Sequence, residues 1–98
     1  MDEQELKFLK EILGQNILHR REELKYSQEK LAYLSQMGVA HLGNIERGND
    51  KNNPTLSTLL KIAKGLDTTV EKLLEGTGTK VEDIQHDDEK EDPEDKEA

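Results

Sequence analysis

Residues 27–48, "SQEKLAYLSQMGVAHLGNIERG", are the stretch that decides the fold. Ser27 is a residue type that caps helix N-termini, because its hydroxyl oxygen can accept hydrogen bonds from the unpaired N–H groups of the first turn. A turn at 35–37 separates the helix that follows Ser27 from a third helix over 38–47, in which apolar residues recur three positions apart. The stretch therefore predicts two short helices joined by a tight turn.

The sequence before this stretch predicts one long helix. Asp2 and Glu5 have the spacing of a capping box, which would open a first helix over about 3–24. The apolar face of this helix is predicted to consist of Leu6, Leu9, Leu13, Ile17 and Leu24.

Two further helices are predicted after the stretch. Pro54 and Thr55 are typical of a helix start, and Asp67 suits the tight turn that ends this fourth helix. Its buried stripe is expected to be Leu56, Leu59, Leu60, Ala63 and Leu66. Thr69 would cap a short fifth helix. The expected fold class is thus all-α, with five helices in residues 1–76.

Charge divides the 98-residue chain into two parts. The net charge is −8, but residues 76–98 carry ten acids and three lysines, whereas residues 1–75 carry twelve acids and eleven bases. Residues 15–64 hold eight Lys or Arg against five Asp or Glu, so the middle of the chain is mildly basic. Residues 77–98 are predicted to be a disordered acidic tail, because they contain too few large apolar groups to offset the entropy of ordering.

Several function classes find no support in the sequence. There is no cysteine, and His19, His41 and His86 lack ligand spacing, so no metal or cofactor is expected. No apolar run approaches the roughly 20 residues that span a bilayer, and the acidic N-terminus does not resemble a signal peptide. We expect a cytoplasmic protein without a membrane partner. We find no phosphate-binding loop or nucleophile–base arrangement, so an enzyme is not expected.

The ordered series Ser-Gln-x-x-Leu-Ala, a turn, a recognition helix and Ile-Glu-x-Gly resembles the helix-turn-helix of the Xre or Cro/cI-type regulators. The likeness extends over about residues 13–75, and "GNIERGN" followed by "NP" is most similar to phage-type repressors and restriction–modification controller proteins. The resemblance implies a five-helix, lambda-repressor-like DNA-binding domain. It further implies a homodimer on a palindromic operator in double-stranded DNA.

The resemblance places base reading on five residues of the third helix: Gly38, Val39, Ala40, Gly43 and Asn44. Family members usually carry polar side chains at the first three of these positions. Here Val39 and Ala40 would instead contact thymine methyl groups, and Asn44 could make a bidentate contact to adenine. The alternative is that this helix no longer reads sequence.

Phosphate contacts are implied for the start of the second helix, for the recognition helix and for the following loop. The residues are Gln28, His41, Asn49, Lys51, Asn52 and Asn53. A helix N-terminus such as that at Gln28 favours an anion through its unpaired N–H groups. The loop is about two residues longer than usual, and an ordinary hydrophilic turn is its alternative interpretation. For Gln28 and His41 the alternatives are a plain helix-start residue and a solvated surface histidine.

The resemblance also implies one structural ion pair and one dimer surface. Arg21 and Glu46 match the family's partly buried ion pair, although two solvated surface charges are the alternative. The predicted dimer interface lies on the fifth helix, at Val70, Leu73 and Leu74, which could equally belong to the domain's own core.

Gln36 stands where the family's turn usually has glycine. A left-handed backbone is expected there, at a cost of about 1–2 kcal/mol for a residue with a side chain.

Two functional hypotheses follow. The first is a sequence-specific DNA-binding transcriptional regulator, a repressor that acts as a homodimer. The second is a protein-interaction module, such as an antirepressor or antitoxin partner, that retains the helix-turn-helix as a scaffold and binds a regulatory protein. The acidic tail could compete with DNA phosphates for the basic face, or could serve only solubility.

Overall fold

The computed structural model describes residues 1–49, 51 and 53–78, and this part of the chain forms five α-helices without a strand. In chain order they are α1 (Glu3–Glu23), α2 (Gln28–Leu34), α3 (Val39–Glu46), α4 (Leu56–Gly65) and α5 (Val70–Leu73). The all-α, five-helix prediction is confirmed. Most of the predicted acidic tail, residues 79–98, lies outside the described residues.

The helices begin where side chains can cap them. At the start of α1, the Glu5 amide donates to Asp2 Oδ1 (2.8 Å) and the Asp2 amide donates to Glu5 Oε1 (3.0 Å), which is the predicted capping box. The hydroxyls of Ser27, Thr55 and Thr69 each accept a hydrogen bond from the amide three residues further on. Local chemistry thus sets these helix starts.

A single apolar core joins the helices. α1 packs against α3 and α5, α2 packs against α3 and α4, and α4 packs against α5. The buried apolar side chains come from all five helices and from the C-cap of α4: Leu13, Ile17, Leu31, Ala32, Leu42, Ile45, Ile62, Ala63, Leu66 and Leu73. Because α1 and α2 both press on α3, the inward face of α3 is fixed from two sides.

Two side chains of α1 fasten the C-terminal helices. Arg20 donates from Nε to the Leu66 carbonyl (2.9 Å) and from Nη2 to the Asp67 carbonyl (3.2 Å). Asn16 Nδ2 donates to the carbonyls of Leu73 and Glu75, at 2.9 and 2.8 Å. These bonds satisfy carbonyl groups at the ends of α4 and α5, which would otherwise lack intrahelical partners.

The predicted buried stripe of α4 was wrong at two positions. Leu56 and Leu60 are 66% and 49% exposed, whereas Ile62, which the prediction omitted, is fully buried. The inward face of α4 is Leu59, Ile62, Ala63 and Leu66. The predicted and the observed residues both fit a helical period. The positions of α2 and α5 against α4 decide which face of α4 is buried.

Helices α1 and α3 approach each other closely at Gly14. A Cβ atom placed on Gly14 would lie 2.4 Å from the Glu46 carbonyl oxygen and 2.6 Å from that of Ile45. The absence of a side chain therefore lets the backbone of α1 lie directly against the C-terminal end of α3.

We expect Gly14→Ala to lower the free energy of unfolding, since the added methyl group meets backbone that cannot rotate away. Overpacking of this kind costs about 1–3 kcal/mol, which exceeds the gain of up to about 1 kcal/mol in helix propensity. Urea denaturation followed by circular dichroism measures the change. Gln15→Ala, at an exposed position of the same helix, is the control, and an equal midpoint for Gly14→Ala and the wild type would contradict the prediction.

Candidate nucleic-acid interface

The turn between α2 and α3 holds the recognition helix at an angle to its neighbour. Gln36 has φ 57°, so the expected left-handed backbone is confirmed. The amides of Gln36 and Met37 donate to the carbonyls of Tyr33 (3.1 Å) and Ala32 (3.0 Å), which closes the end of α2. Gly38 then serves as the N-cap of α3 without a side-chain hydrogen bond.

One side of α3 is buried and the other is open. Leu42, Ile45 and Glu46 are nearly inaccessible. Of the predicted base-reading residues, Gly38, Val39, Ala40 and Asn44 are exposed, while Gly43 is buried. The open face therefore offers two small apolar side chains near its start and one amide near its end.

Arg47 covers the end of this open face, and sequence reasoning missed it. Its Nη2 donates to Asn44 Oδ1 (2.9 Å), and its Nη1 would lie only 3.1 Å from a Cβ atom placed on Gly43. The sequence spacing could have indicated these contacts. Arg47 follows Asn44 by three residues and Gly43 by four, and residues at such spacings are neighbours on a helix.

A buried carboxylate holds α3 in place. Glu46 is 4% exposed, and its Oε2 lies 2.7 Å from Arg21 Nε while its Oε1 accepts from Arg21 Nη2 (3.2 Å). Arg21 Nη1 also donates to the Tyr26 carbonyl (2.9 Å). The two charges inferred from the resemblance thus form a bidentate pair that joins α1 to the end of α3.

Gln28 completes this network. Its Nε2 donates to Glu46 Oε1 (2.8 Å), so the first residue of α2 is tied to the last residue of α3. The amide has a second N–H group, and the backbone N–H groups of the first turn of α2 lie beside it. The contact with a phosphate that the resemblance implies remains a prediction.

The loop after α3 lies beside the N-terminal half of α1. Gly48 has φ 72°, and a Cβ atom there would lie 2.9 Å from Glu11 Cγ. Asn49, Lys51 and Asn53 line a shallow groove together with four residues of α1: Glu3, Leu6, Lys7 and Lys10. The predicted loop residue Asn52 lies outside the described residues.

The sequence did not connect Lys7 and Lys10 to the loop, because they precede it by about forty residues. With Lys51 they supply three cations, and Glu3 is the acid among the described residues that line the groove. The described lining of the groove, between α1 and the loop after α3, therefore carries more positive than negative side chains.

Comparisons with known proteins agree with this geometry. Residues 17–73 match the helix-turn-helix family. The control protein C.SmaI of Serratia marcescens is 43% identical over 74 residues, which cover 76% of this chain and 86% of that protein. The chain belongs to the helix-turn-helix family. It is a DNA-binding transcription regulator of the restriction–modification controller type, and its relatives are not enzymes.

Solved structures support the same assignment. The restriction–modification controller protein C.AhdI from Aeromonas hydrophila has a TM-score of 0.62 and 34% identity, over 65% of this chain and 94% of that chain. A tyrosine-to-phenylalanine mutant of the controller protein C.Esp1396I has a TM-score of 0.63 and 30% identity, over 76% of this chain and 91% of that chain.

The described part of this controller-type regulator contains no group of three or more potential metal-ligating side chains, and none of its helices is long and apolar enough to cross a membrane.

The three residues predicted to form a dimer surface differ in exposure. Leu73 is 2% exposed and lies in the core of the monomer, which corrects its assignment to a surface. Val70 packs against the same core and is half-buried, whereas Leu74 is 36% exposed. α5 has only one turn, so a side chain that holds it on α1 and α4 is not available to a partner.

We expect Arg21→Ala to lower the free energy of unfolding by about 3–5 kcal/mol, because it strands the Glu46 carboxylate in the protein interior. Chemical denaturation at neutral pH measures this loss. Glu23→Ala is the control, since Glu23 pairs with Arg20 across a distance of 3.3 Å while 68% of its side chain is exposed. Exposed pairs contribute about 0–1 kcal/mol, so similar losses in both variants would refute a special role for the buried pair.

Proposed function

We propose that this regulator binds a palindromic operator in double-stranded DNA as a homodimer and represses transcription. The observation that carries the proposal is the open face of α3, which is held toward solvent by the buried contacts of Glu46 with Arg21 and Gln28. Such a helix fits the major groove, which admits an α-helix and displays a distinct pattern for each base pair.

Apolar contacts are expected at the start of α3. Val39 is 41% exposed and Ala40 is also exposed, so both side chains are available to a partner. Thymine is the base that presents a methyl group in the major groove. We therefore propose that these two residues contact thymine methyls.

Phosphate contacts are proposed next to the C-terminal end of the recognition helix. Gln28, at the start of α2, donates to Glu46, the last residue of α3. Asn49, Lys51 and Asn53 belong to the loop that follows α3 and line the groove beside α1. His41 is exposed on α3 and is proposed to contact the backbone as well. Lys7 and Lys10 would extend this contact along the groove next to the loop.

A second copy of the chain is proposed to cover the exposed leucines of α4. Leu56 and Leu60 lie one turn apart on α4, and Leu74 is exposed at the end of the neighbouring α5. Two recognition helices would then enter successive major grooves about 34–36 Å apart. A dimer bound across a promoter excludes other proteins from those base pairs, which favours repression.

The DNA-binding proposal is tested by fluorescence anisotropy with the full chain, a promoter-derived palindromic duplex and a random duplex over a salt series. If a dimer contacts about six to ten phosphates, affinity should fall by about 10³–10⁵ between 50 and 200 mM salt. The palindrome should retain its preference at each salt concentration. Weak binding that ignores both salt and sequence would instead favour the protein-interaction module.

The dimer proposal is tested by sedimentation equilibrium of Leu60→Lys. A charge at this position should oppose a second copy and shift the protein toward the monomer, with weaker operator binding as a consequence. Tyr33→Lys is the matched control, because Tyr33 is also exposed, at 79%, and belongs to α2 rather than to α4. A Leu60→Lys protein that sediments like the wild type would exclude this surface.

A further inference from the structure

Arg47 belongs to the face of α3 that is proposed to meet DNA. It is the C-cap of the helix, and its φ of −88° and ψ of −2° keep the backbone near the helical region. With 3.6 residues per turn, Arg47 lies on the same side as Gly43 and Val39, four and eight residues before it. It therefore continues the row of positions four residues apart that begins with Val39 and includes Gly43.

Gly43 provides the space in which the Arg47 side chain lies, directed back toward the N-terminus of α3. A Cβ atom at this position would lie 3.1 Å from Nη1, 3.6 Å from Nη2 and 3.7 Å from Cζ of Arg47. These distances place the guanidinium directly over Gly43. A larger residue at position 43 would compete with it for the same surface.

The hydrogen bond between Arg47 and Asn44 changes which hydrogen-bonding groups the two side chains can offer to a base. Arg47 Nη2 lies 2.9 Å from Asn44 Oδ1, so the only acceptor atom of the amide is engaged by a cation. Another N–H donor could reach that oxygen only beside the positive guanidinium, which opposes its approach. The pair consequently presents donors: the Nδ2 group of Asn44 and the remaining N–H groups of Arg47.

We infer that Arg47 and Asn44 act as one unit that recognises guanine in the operator. In the major groove guanine presents two acceptors, N7 and O6, and arginine binds them in a bidentate manner. Adenine presents one acceptor and one donor, so it matches an amide with a free oxygen and not a donor-only pair. This inference rests on the proposed DNA binding and replaces adenine by guanine as the base expected opposite Asn44.

The chemistry of the guanidinium also fits a phosphate, and the geometry favours the base. Arg47 is held over the C-terminal part of the open face, beside Gly43 and Asn44, rather than toward the loop that follows α3. Pre-organisation by Asn44 fixes the direction of the guanidinium fork before DNA binds, which reduces the entropy lost on binding.

The experiment uses the whole chain, residues 1–98, and 7-deazaguanine, in which a C–H group replaces the acceptor N7. Selection from a random duplex library first gives the preferred site. Anisotropy titrations then compare this duplex with versions that carry 7-deazaguanine or 7-deazaadenine at one purine at a time. The wild type, Arg47→Lys and Arg47→Ala are measured under the same conditions, with circular dichroism to verify their folding.

We expect one guanine in each half-site at which the N7 replacement weakens wild-type binding about five- to tenfold, as for the loss of part of a bidentate contact. Arg47→Ala should be insensitive to the replacement at that guanine. Arg47→Lys keeps the charge but loses the planar fork, so its sensitivity should lie below that of the wild type. Other purines should keep their wild-type sensitivities in both variants.

Three results would overturn the inference. In the first, Arg47→Lys retains the wild-type profile while Arg47→Ala loses affinity equally on all duplexes, which indicates a phosphate contact. In the second, the purine whose sensitivity depends on Arg47 is an adenine. In the third, the wild type shows no salt-dependent duplex binding at all, which would remove the proposed function itself and with it this inference. The first two leave the proposed function intact.

Discussion

The carboxylate of Glu46 is the point at which the three N-terminal helices meet. It accepts two hydrogen bonds from Arg21 on α1 and one from Gln28 on α2, while it is itself the last residue of α3. A buried charge of this kind is stable only when its lone pairs are satisfied, so the three helices must keep one relative arrangement. The direction of the open face of α3 depends on this constraint.

Two glycines permit close contacts on opposite sides of α3. Gly14 lets the backbone of α1 lie against the carbonyls of Ile45 and Glu46, and Glu46 is the residue that carries the buried charge. Gly43, on the other side of α3, leaves room for the guanidinium of Arg47. The inner glycine therefore serves the fold, whereas the outer one shapes the surface that is proposed to meet DNA.

Features that depend on neighbouring residues could be predicted from the sequence. The capping box at Asp2 and Glu5, the hydroxyl cap at Ser27 and the left-handed backbone at Gln36 all result from interactions within a few residues of the chain. The ordered helix-turn-helix pattern added the recognition helix and its family. Features that depend on packing were harder to predict from the sequence. Leu56 and Leu60 are the example: two faces of α4 carry leucines in helical spacing, and periodicity alone cannot show which face is buried.

The sequence by itself determined the number and type of the helices, the location of the turn and the family, since caps, periodicity and motif order are properties of short segments. Only the tertiary structure decided that Leu73 belongs to the core, that Lys7 and Lys10 of α1 flank the loop after α3, and that the oxygen of Asn44 is engaged by Arg47. The physical reason is that burial and hydrogen-bond pairing depend on which helix faces which. That arrangement is set by contacts between residues far apart in the chain.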